Sequence, residues 1–262
     1  MELKFTKMQG LGNDYIYIDA RDLSLDDPSG LSRRLSDRHF GIGGDGIVLI
    51  GRSEVADFSM RMFNADGSEG KMCGNAARCI AKYVHDKGLT DKLTITLETL
   101  SGIKMLVLHP QEGTVSVDMG QFEAIQAPLS SHGYSGRGIS MGNPHYVVFV
   151  PDAEKIDLPA VGPSIEKDEA FPGGVNAEFA SLRPDGSIRM RVWERGSGIT
   201  LACGTGACAT AVAAVLGNLK PYDEPIKIVM DGGSLDITVS RSGGVTMNGP
   251  AVTVFEGRLN LA

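Results

Sequence analysis

The sequence that decides the fold occurs twice, as MCGNAARC at residues 72–79 and as ACGTGACA at residues 202–209. Cys73 and Cys203 are 130 positions apart (203 − 73), about half of the 262 residues. Repetition at one fixed offset indicates two structurally similar halves. The same ungapped offset relates Gly12-Asn13 to Gly142-Asn143, Gly43-Gly44 to Gly173-Gly174, Met60-Arg61 to Met190-Arg191, and Phe63 to Trp193.

Both Cys-Gly pairs precede a helical pattern. Because Gly88 and Gly217 follow these patterns, we predict helices over 74–86 and 204–216. The second helix is rich in Ala and Val on every side and should be buried all round. Shorter helices are predicted over 31–38 and 163–170. Alternation and β-branched content predict strands over 5–8, 15–19, 47–50, 57–63, 93–97, 103–108, 146–150, 177–182, 188–193, 226–230, 235–239 and 252–255.

These elements predict an α/β (α+β) fold with two pseudo-symmetric halves. Each half should be a β-barrel-like mixed sheet around a central helix. We expect residues 1–120 with 251–262 to carry Cys73, and residues 121–250 to carry Cys203. The pseudo-symmetry predicts that the two Cys-Gly pairs face each other, with the active site in the cleft between the halves.

The charge and the apolar content of the chain argue against nucleic acids and membranes as partners. The chain has a net charge of −7 and a pI near 5.3, so it lacks the basic patch that nucleic-acid binding needs. No polybasic segment favours a membrane surface, and the longest apolar stretch is about half of the ~20 residues that a membrane span needs. The N-terminal residues do not resemble a secretory signal. We therefore expect a cytoplasmic protein that acts on a small molecule.

The four cysteines divide into two kinds. A helix N-terminus binds anions and lowers the pKa of a nearby thiol, to roughly 3.5–7.5 in known cases. Cys73 and Cys203, repeated at helix starts, are therefore candidates for an acid/base pair. Most other buried cysteines are small apolar core residues, and we expect this of Cys79 and Cys208. A thiol-redox or zinc-binding protein remains an alternative, although a short Cys-x-x-Cys motif is absent.

The sequence GIGGDG at 41–46 satisfies the dinucleotide-binding pattern but lies in the wrong context. A helical pattern precedes it and a strand follows, whereas that fingerprint needs a strand before and a helix after. We interpret the segment as a turn. Polar residues near the two Cys-Gly pairs would instead suit a zwitterion, although asparagines are also common in turns: Asn13, Asn64, Asn143, His145, Asn176, Glu194 and Arg195.

Four segments carry a resemblance to a known family. They are GLGNDY at 10–15, FNADGSEGKMCGNAARC at 63–79, GNPH at 142–145 and ERGSGITLACGTGACA at 194–209. Together they resemble the diaminopimelate epimerases, over nearly the whole chain. Asn75 stands where related proline and hydroxyproline racemases carry His, which argues against those enzymes. A sister racemase of another amino acid, such as histidine, remains an alternative.

The resemblance implies interconversion of LL- and meso-diaminopimelate by a homodimer, without cofactor or metal, on the route to lysine and peptidoglycan precursors. Cys73 and Cys203 would be the proton acceptor and donor, with His145 and Glu194 adjusting their pKa values. The reacting carboxylate would bind Gly74, Asn75, Gly204 and Thr205. The distal carboxylate would bind Asn64, Asn143, Asn176 and Arg195, and the distal amine Glu194. Asn13 would line the site. Gly46 replaces a common Gln, so one side-chain contact would be missing.

Overall fold

Two units built on the same plan make up the chain. The computed structural model describes residues 2–260, apart from the side chains of residues 125–128. Unit 1 runs to Val117 and resumes at Gly249, and unit 2 runs from Asp118 to Asn248. The sequence analysis had put the divisions after residues 120 and 250. Residue 1 and residues 261–262 of its first half lie outside the described residues.

Unit 1 contains two helices and nine strands in the described part of the chain. The helices are α1 (Pro28–Ser36) and α2 (Gly74–Asp86). The strands are β1 (Glu2–Gly10), β2 (Asn13–Asp19), β3 (Gly46–Gly51), β4 (Phe58–Asn64), β5 (Glu69–Gly70), β6 (Thr94–Thr99), β7 (Gly102–His109), β8 (Thr114–Gln121, which runs on into unit 2) and, from the far end of the sequence, β18 (Val252–Asn260).

Unit 2 repeats this order. Its helices are α3 (Leu158–Glu166) and α4 (Gly204–Leu216), and a short 3-10 turn covers Ala153–Lys155. The strands are β9 (Glu123–Ser131), β10 (Tyr134–Ser140), β11 (Pro144–Phe149), β12 (Asn176–Leu182), β13 (Ile188–Glu194), β14 (Gly198–Ile199), β15 (Pro225–Met230), β16 (Gly233–Val239) and β17 (Gly244–Pro250).

The strands of the two units share one pairing pattern, in which parallel and antiparallel pairs are mixed. In unit 1, β2 and β3 are parallel, as are β4 and β6, and the other pairs are antiparallel. In unit 2 the parallel pairs are β11 with β12 and β13 with β15. Even the register is repeated, because Tyr15 pairs with Gly46 and His145 pairs with Asn176 at the same 130-residue offset. The predicted mixed α/β fold with two similar halves is confirmed.

Helices α2 and α4 lie inside their units. Every residue from Gly206 to Val215 is buried, so the prediction that this helix is covered on all sides is confirmed. Cys79 and Cys208 lie in these helices and are fully buried, as expected of core residues. The structure confirms the predicted bounds of both helices. Among residues 2–260, none of the helices combines the length and the apolar character needed to cross a membrane.

The predicted helix over 163–170 is wrong in its position. The observed helix α3 begins at Leu158 after Asp157, whose side chain caps the backbone N–H of Ala160. Pro163 therefore lies inside the helix rather than at its start, and the chain turns away after Glu166. The same kind of cap, Asp27 on Gly30, starts α1 earlier than predicted.

Candidate active site

In unit 1, Cys73 is the residue that immediately precedes helix α2. Its backbone is extended (φ −134°), and the helix begins at Gly74. The first backbone N–H groups of a helix have no partner within the helix, and they form the positive end of its dipole. Gly74 and Asn75 therefore lie where an anionic group such as a carboxylate would be stabilised. Cys73 is half-buried.

Asn13 is the residue that orders the polar groups around Cys73. Its Nδ2 donates to Asp45 Oδ2 at 2.8 Å. A carboxylate only accepts, so Asp45 fixes the amide with Oδ1 turned toward Cys73. That oxygen accepts from Cys73 Sγ at 3.3 Å and from Asn75 Nδ2 at 3.4 Å. Three of the predicted residues, Asn13, Cys73 and Asn75, thus form one hydrogen-bonded group.

A buried arginine lies behind this group. Arg78 is fully buried within α2, and its Nη2 donates to Asn75 Oδ1 at 3.0 Å. Its Nε donates to the carbonyl oxygen of Pro250 at 3.1 Å, which ties the helix to the segment before β18. The sequence analysis did not single out Arg78. A cation in a helix whose neighbours are Ala, Cys and Ile is the signal that could have identified it.

Gly46 and Asn64 are cross-strand neighbours at the ends of β3 and β4. A Cβ atom on Gly46 would lie only 2.0 Å from the carbonyl oxygen of Phe63, so this backbone leaves no room for a side chain. The Asn64 side chain donates to Ser68 Oγ at 3.0 Å, within the turn that follows β4. The Asn64 side chain therefore contacts its own turn rather than the group formed by Asn13, Cys73 and Asn75.

In unit 2, Cys203 precedes helix α4 in the same way, with extended backbone (φ −121°). Its sulfur accepts a hydrogen bond from the backbone N–H of Gly206 at 3.4 Å and lies 3.5 Å from Thr205 Oγ1. The side chain is buried. Gly204 and Thr205 occupy the first turn, so α4 offers an anion site of the same kind as α2.

Burial is the largest influence on the Cys203 thiol. It raises the pKa of Cys203 well above the usual value for a thiol, and the nearby carboxylates of Glu194 and Glu178 raise it further. The hydrogen bonds from Thr205 and Gly206 act in the opposite direction, because they stabilise the thiolate. Cys203 is therefore held as a thiol at neutral pH.

Asn143 and His145 form the polar surroundings of Thr205. Asn143 Nδ2 donates to Thr205 Oγ1 at 3.3 Å, and His145 Nε2 lies 3.2 Å from Asn143 Oδ1. The other ring nitrogen of His145 lies 2.6 Å from Glu178 Oε1, and both of these side chains are fully buried. Sequence reasoning missed Glu178. Its signal was one acidic residue within the apolar strand β12.

Asn176, Arg195 and Glu194 lie together at the ends of β12 and β13. Asn176 Oδ1 accepts from the backbone N–H of Arg195 at 2.8 Å, and its Nδ2 donates to the Pro144 carbonyl at 3.2 Å. The Arg195 guanidinium donates to the carbonyl oxygen of Gly173 at 2.9 Å. Glu194 accepts a short hydrogen bond from Thr200 Oγ1. The nearby Glu194 carboxylate raises the pKa of Cys203. His145, the other residue expected to adjust a thiol pKa, contacts Glu178.

Metal-ligating side chains are not clustered in either unit. Within residues 2–260, no three His, Cys, Asp or Glu side chains are grouped so that they could hold a metal ion. No disulfide bond joins the four cysteines, all of which lie within the described residues.

Comparison with known proteins identifies relatives over the whole chain. The family model for diaminopimelate epimerase matches residues 5–125 and 138–254. A diaminopimelate epimerase from Phocaeicola vulgatus is 54% identical and covers 99% of both chains. One from Parabacteroides distasonis is also 54% identical, over 97% of both chains. One from Methanococcus maripaludis is 47% identical, over 99% of this chain and 100% of its own.

Solved structures share the fold at much lower sequence identity. A PhzF-family phenazine biosynthesis protein from Bacillus anthracis aligns with a TM-score of 0.76 and 16% identity, over 100% of both chains. A hydroxyproline epimerase from Agrobacterium vitis aligns with a TM-score of 0.71 and 13% identity, over 98% of this chain and 92% of its own. These two likenesses describe the architecture alone.

Proposed function

Because the chain belongs to the diaminopimelate epimerase family, we propose that it interconverts LL- and meso-2,6-diaminopimelate, with Cys73 and Cys203 as the two acid/base groups. The observation that carries the proposal is the repeated arrangement of a thiol, an asparagine and a helix start in the two units. In unit 1 the members are Cys73, Asn13 and α2, and in unit 2 they are Cys203, Asn143 and α4.

The proposed chemistry is the exchange of one α-proton. The thiolate of one cysteine removes the proton from one face of the α-carbon, and the thiol of the other cysteine delivers a proton to the opposite face. The stereocentre is inverted, and the enzyme finishes with the two protonation states exchanged. The resemblance assigns Cys73 as the acceptor and Cys203 as the donor, and the raised pKa of Cys203, caused mainly by its burial, supports the donor role.

The carbanion-like transition state needs stabilisation, since an amino-acid α-proton is weakly acidic. We propose that the reacting carboxylate binds to the first-turn N–H groups of α2 and α4, at Gly74, Asn75, Gly204 and Thr205. Preorganised dipoles of this kind stabilise developing charge without reorganising during the reaction. The reaction so described requires neither a metal ion nor an organic cofactor.

Recognition of the far end of the substrate is the second part of the proposal. Asn64, Asn143, Asn176 and Arg195 would bind the distal carboxylate, and Glu194 the distal ammonium group. The paired ends of β12 and β13 support this role, because they bring one cation, one carboxylate and one amide together. Gly46 would line this region through its backbone only. A homodimer acting in the cytosol, on the route to lysine and peptidoglycan precursors, completes the proposal.

Proton NMR in D₂O tests the reaction and the substrate together. Purified protein is incubated with LL-diaminopimelate under reducing conditions and without added cofactor. We expect loss of the α-proton signal together with appearance of the meso isomer. Cys73→Ala and Cys203→Ala should each abolish epimerisation, whereas Cys79→Ala, a buried control, should retain it.

The same experiment can contradict the proposal in two separate ways. Epimerisation that survives in either single-cysteine variant would exclude the two-base scheme. A folded wild-type protein that leaves diaminopimelate unchanged, yet exchanges the α-proton of another amino acid such as histidine, would identify a sister racemase instead.

A further inference from the structure

A buried acidic residue, Glu178, is connected to Cys203 by a continuous series of hydrogen bonds. Glu178 and His145 are both fully buried, and Glu178 Oε1 lies 2.6 Å from His145 Nδ1. The other carboxylate oxygen, Oε2, is buried without a hydrogen-bond partner in the described part of the chain. A buried acidic group in this state is unfavourable unless it has a specific role.

The series has a fixed direction. His145 Nε2 faces Asn143 Oδ1 at 3.2 Å, and because an amide oxygen only accepts, Nε2 carries a proton. Asn143 is thereby fixed with Nδ2 toward Thr205 Oγ1, at 3.3 Å. The Thr205 oxygen accepts that bond, so its own proton is directed to Cys203 Sγ at 3.5 Å. Every donor in the series points toward the sulfur.

Glu178 sets this direction at the far end. As a carboxylate it accepts from a doubly protonated imidazole, and as a carboxylic acid it donates to Nδ1. Burial raises the pKa of Glu178, and its hydrogen bond with His145 offsets only part of this. In both forms the Nε2 proton is retained.

In a reversible two-base reaction Cys203 must exist as a thiolate in one direction. Hydrogen-bond donors to its sulfur stabilise that thiolate. Burial and the carboxylates of Glu194 and Glu178 disfavour that thiolate, and the hydrogen bonds from Thr205 and Gly206 oppose them. Glu178 also lies next to Gly206 in the first turn of α4. A Cβ atom on Gly206 would be 2.8 Å from Glu178 Oε1 and 3.3 Å from Cys203 Sγ.

Unit 1 lacks this arrangement at the equivalent positions. Val48 is the counterpart of Glu178, and Tyr15 is the counterpart of His145, in the same register of parallel strands. Here the asparagine has the opposite orientation, because Asn13 presents its oxygen to Cys73 Sγ. The series of donors is therefore specific to Cys203 and is not a general feature of the repeat.

We propose that Glu178 is a positioning residue of the epimerase reaction: through His145 and Asn143 it directs the hydroxyl proton of Thr205 to the sulfur of Cys203. The proposal rests on the proposed function, since it gives Cys203 a thiolate stage. Glu178 itself does not touch the substrate in this scheme. Its contribution is the orientation of three side chains that lie between it and the thiol.

Two substitutions of Glu178 separate orientation from charge. Glu178→Met keeps the length but offers Nδ1 only a weak acceptor, so the His145 ring loses its buried anchor and is no longer held against Asn143. Glu178→Gln also removes the charge, but its amide can donate to Nδ1 and keep every later hydrogen bond. We expect Glu178→Met to slow epimerisation about tenfold, the effect of one net hydrogen bond. Glu178→Gln should retain most of the rate.

Thr205 supplies the matched controls. Thr205→Ser keeps the hydroxyl and Thr205→Val removes it, and both keep the backbone N–H proposed to bind the carboxylate. Thr205→Val should therefore be about tenfold slower than Thr205→Ser. Glu178→Met added to Thr205→Val should cause no further loss, because the last step of the series is already missing. Equal slowing by Glu178→Gln and Glu178→Met, or an undiminished effect of Glu178→Met in the Thr205→Val background, would overturn the proposal.

Folding and substrate identity are controlled separately. Thermal unfolding identifies any variant that fails to fold, and the Thr205→Ser and Thr205→Val comparison tests the series even if Glu178→Met is lost. If the wild-type protein leaves diaminopimelate unchanged, the proposed function fails. The series is then tested by iodoacetamide alkylation of Cys203 at fixed pH in the Cys73→Ala background. Glu178→Met and Thr205→Val should slow alkylation there, and unchanged rates would overturn the inference.

Discussion

Asp45 accepts a hydrogen bond from Asn13 at 2.8 Å, and the same carboxylate oxygen accepts the backbone N–H of Asp14 at 3.0 Å. A carboxylate at the start of β3 thus determines which atom of Asn13 faces Cys73. The position of the candidate acid/base group in unit 1 therefore depends on a residue that does not contact the thiol.

Asp45→Ala should slow epimerisation about 10- to 100-fold, because hydrogen bonds to charged groups are worth about 1.5–3 kcal/mol. Asn13 would be free to rotate its amide away from Cys73. Steady-state kinetics should show the loss mainly in kcat. Asp185→Ala is the matched control, since Asp185 accepts hydrogen bonds from Ser187 in a hairpin turn of unit 2. A wild-type rate in Asp45→Ala would show that Asn13 does not need this anchor.

Asp14 should make stability depend on pH only under acidic conditions. Burial alone would raise its pKa, but hydrogen bonds and charges from Arg38 and Lys7 outweigh burial and lower the pKa below 3.8. The stabilisation is therefore fully present above about pH 4 and is lost as the pH falls through the lowered pKa. Asp14→Asn should reduce the free energy of unfolding by about 3 kcal/mol at pH 7, because Lys7 is buried beside it.

Urea unfolding of wild type and Asp14→Asn at several pH values checks the sign. The difference between the two proteins should be the same at pH 7 and pH 5, and it should shrink only below about pH 4. A difference that stays the same below pH 4 would mean that the pKa of Asp14 is not lowered in the folded protein.

Gly162→Ala should destabilise the protein although alanine favours helices. In the middle of α3 the change would usually gain about 1 kcal/mol. Here the new Cβ atom would lie 2.5 Å from the ring of Trp193, which is held by a 2.6 Å hydrogen bond to Glu166. We expect a net loss of about 1–3 kcal/mol in urea unfolding. In a Trp193→Leu background the loss should diminish, and an unchanged loss would exclude the contact as its cause.

Arg78→Met should reduce the free energy of unfolding by about 3 kcal/mol, because Asn75 Oδ1 and the Pro250 carbonyl lose a donor inside unit 1. Arg78→Lys should recover only part of this loss, since an ammonium group cannot reproduce the planar guanidinium. Equal stability of Arg78→Met and wild type in urea unfolding would show that these bonds are not needed.

Patterns that depend on local periodicity were predictable from the sequence. The two central helices were identified with their bounds because an apolar pattern ends at glycine in both. Strand β10, with the sequence YSGRGIS, was missed because it contains two glycines and only one β-branched residue, and it is a strand through its pairing with β9 and β11. Helices α1 and α3 obey the repeat as observed, since moving the observed α1 by 130 residues gives 158–166, but the predicted 31–38 would have given 161–168.

The candidate site was predictable in part. Cys73 and Cys203 could be proposed as site residues because repetition and placement at helix starts are visible in the sequence. Asp45, Arg78 and Glu178 could not, because their roles depend on contacts with residues that are distant along the chain. Each of them is a charged residue among apolar or glycine neighbours. That pattern is equally typical of a solvated surface, so only burial distinguishes the two cases.

Strand β18 determines when unit 1 can be completed during synthesis. This strand pairs with β1 from Glu2–Asn260 to Gln9–Val252, yet it is translated only after all of unit 2. A nascent chain can complete the second unit while one edge of β1 is still open, and open edges invite wrong pairing. The two units resemble each other closely in architecture, but they are completed in the opposite order to their start. All strands of unit 2 have been synthesised before β18, the last strand of unit 1.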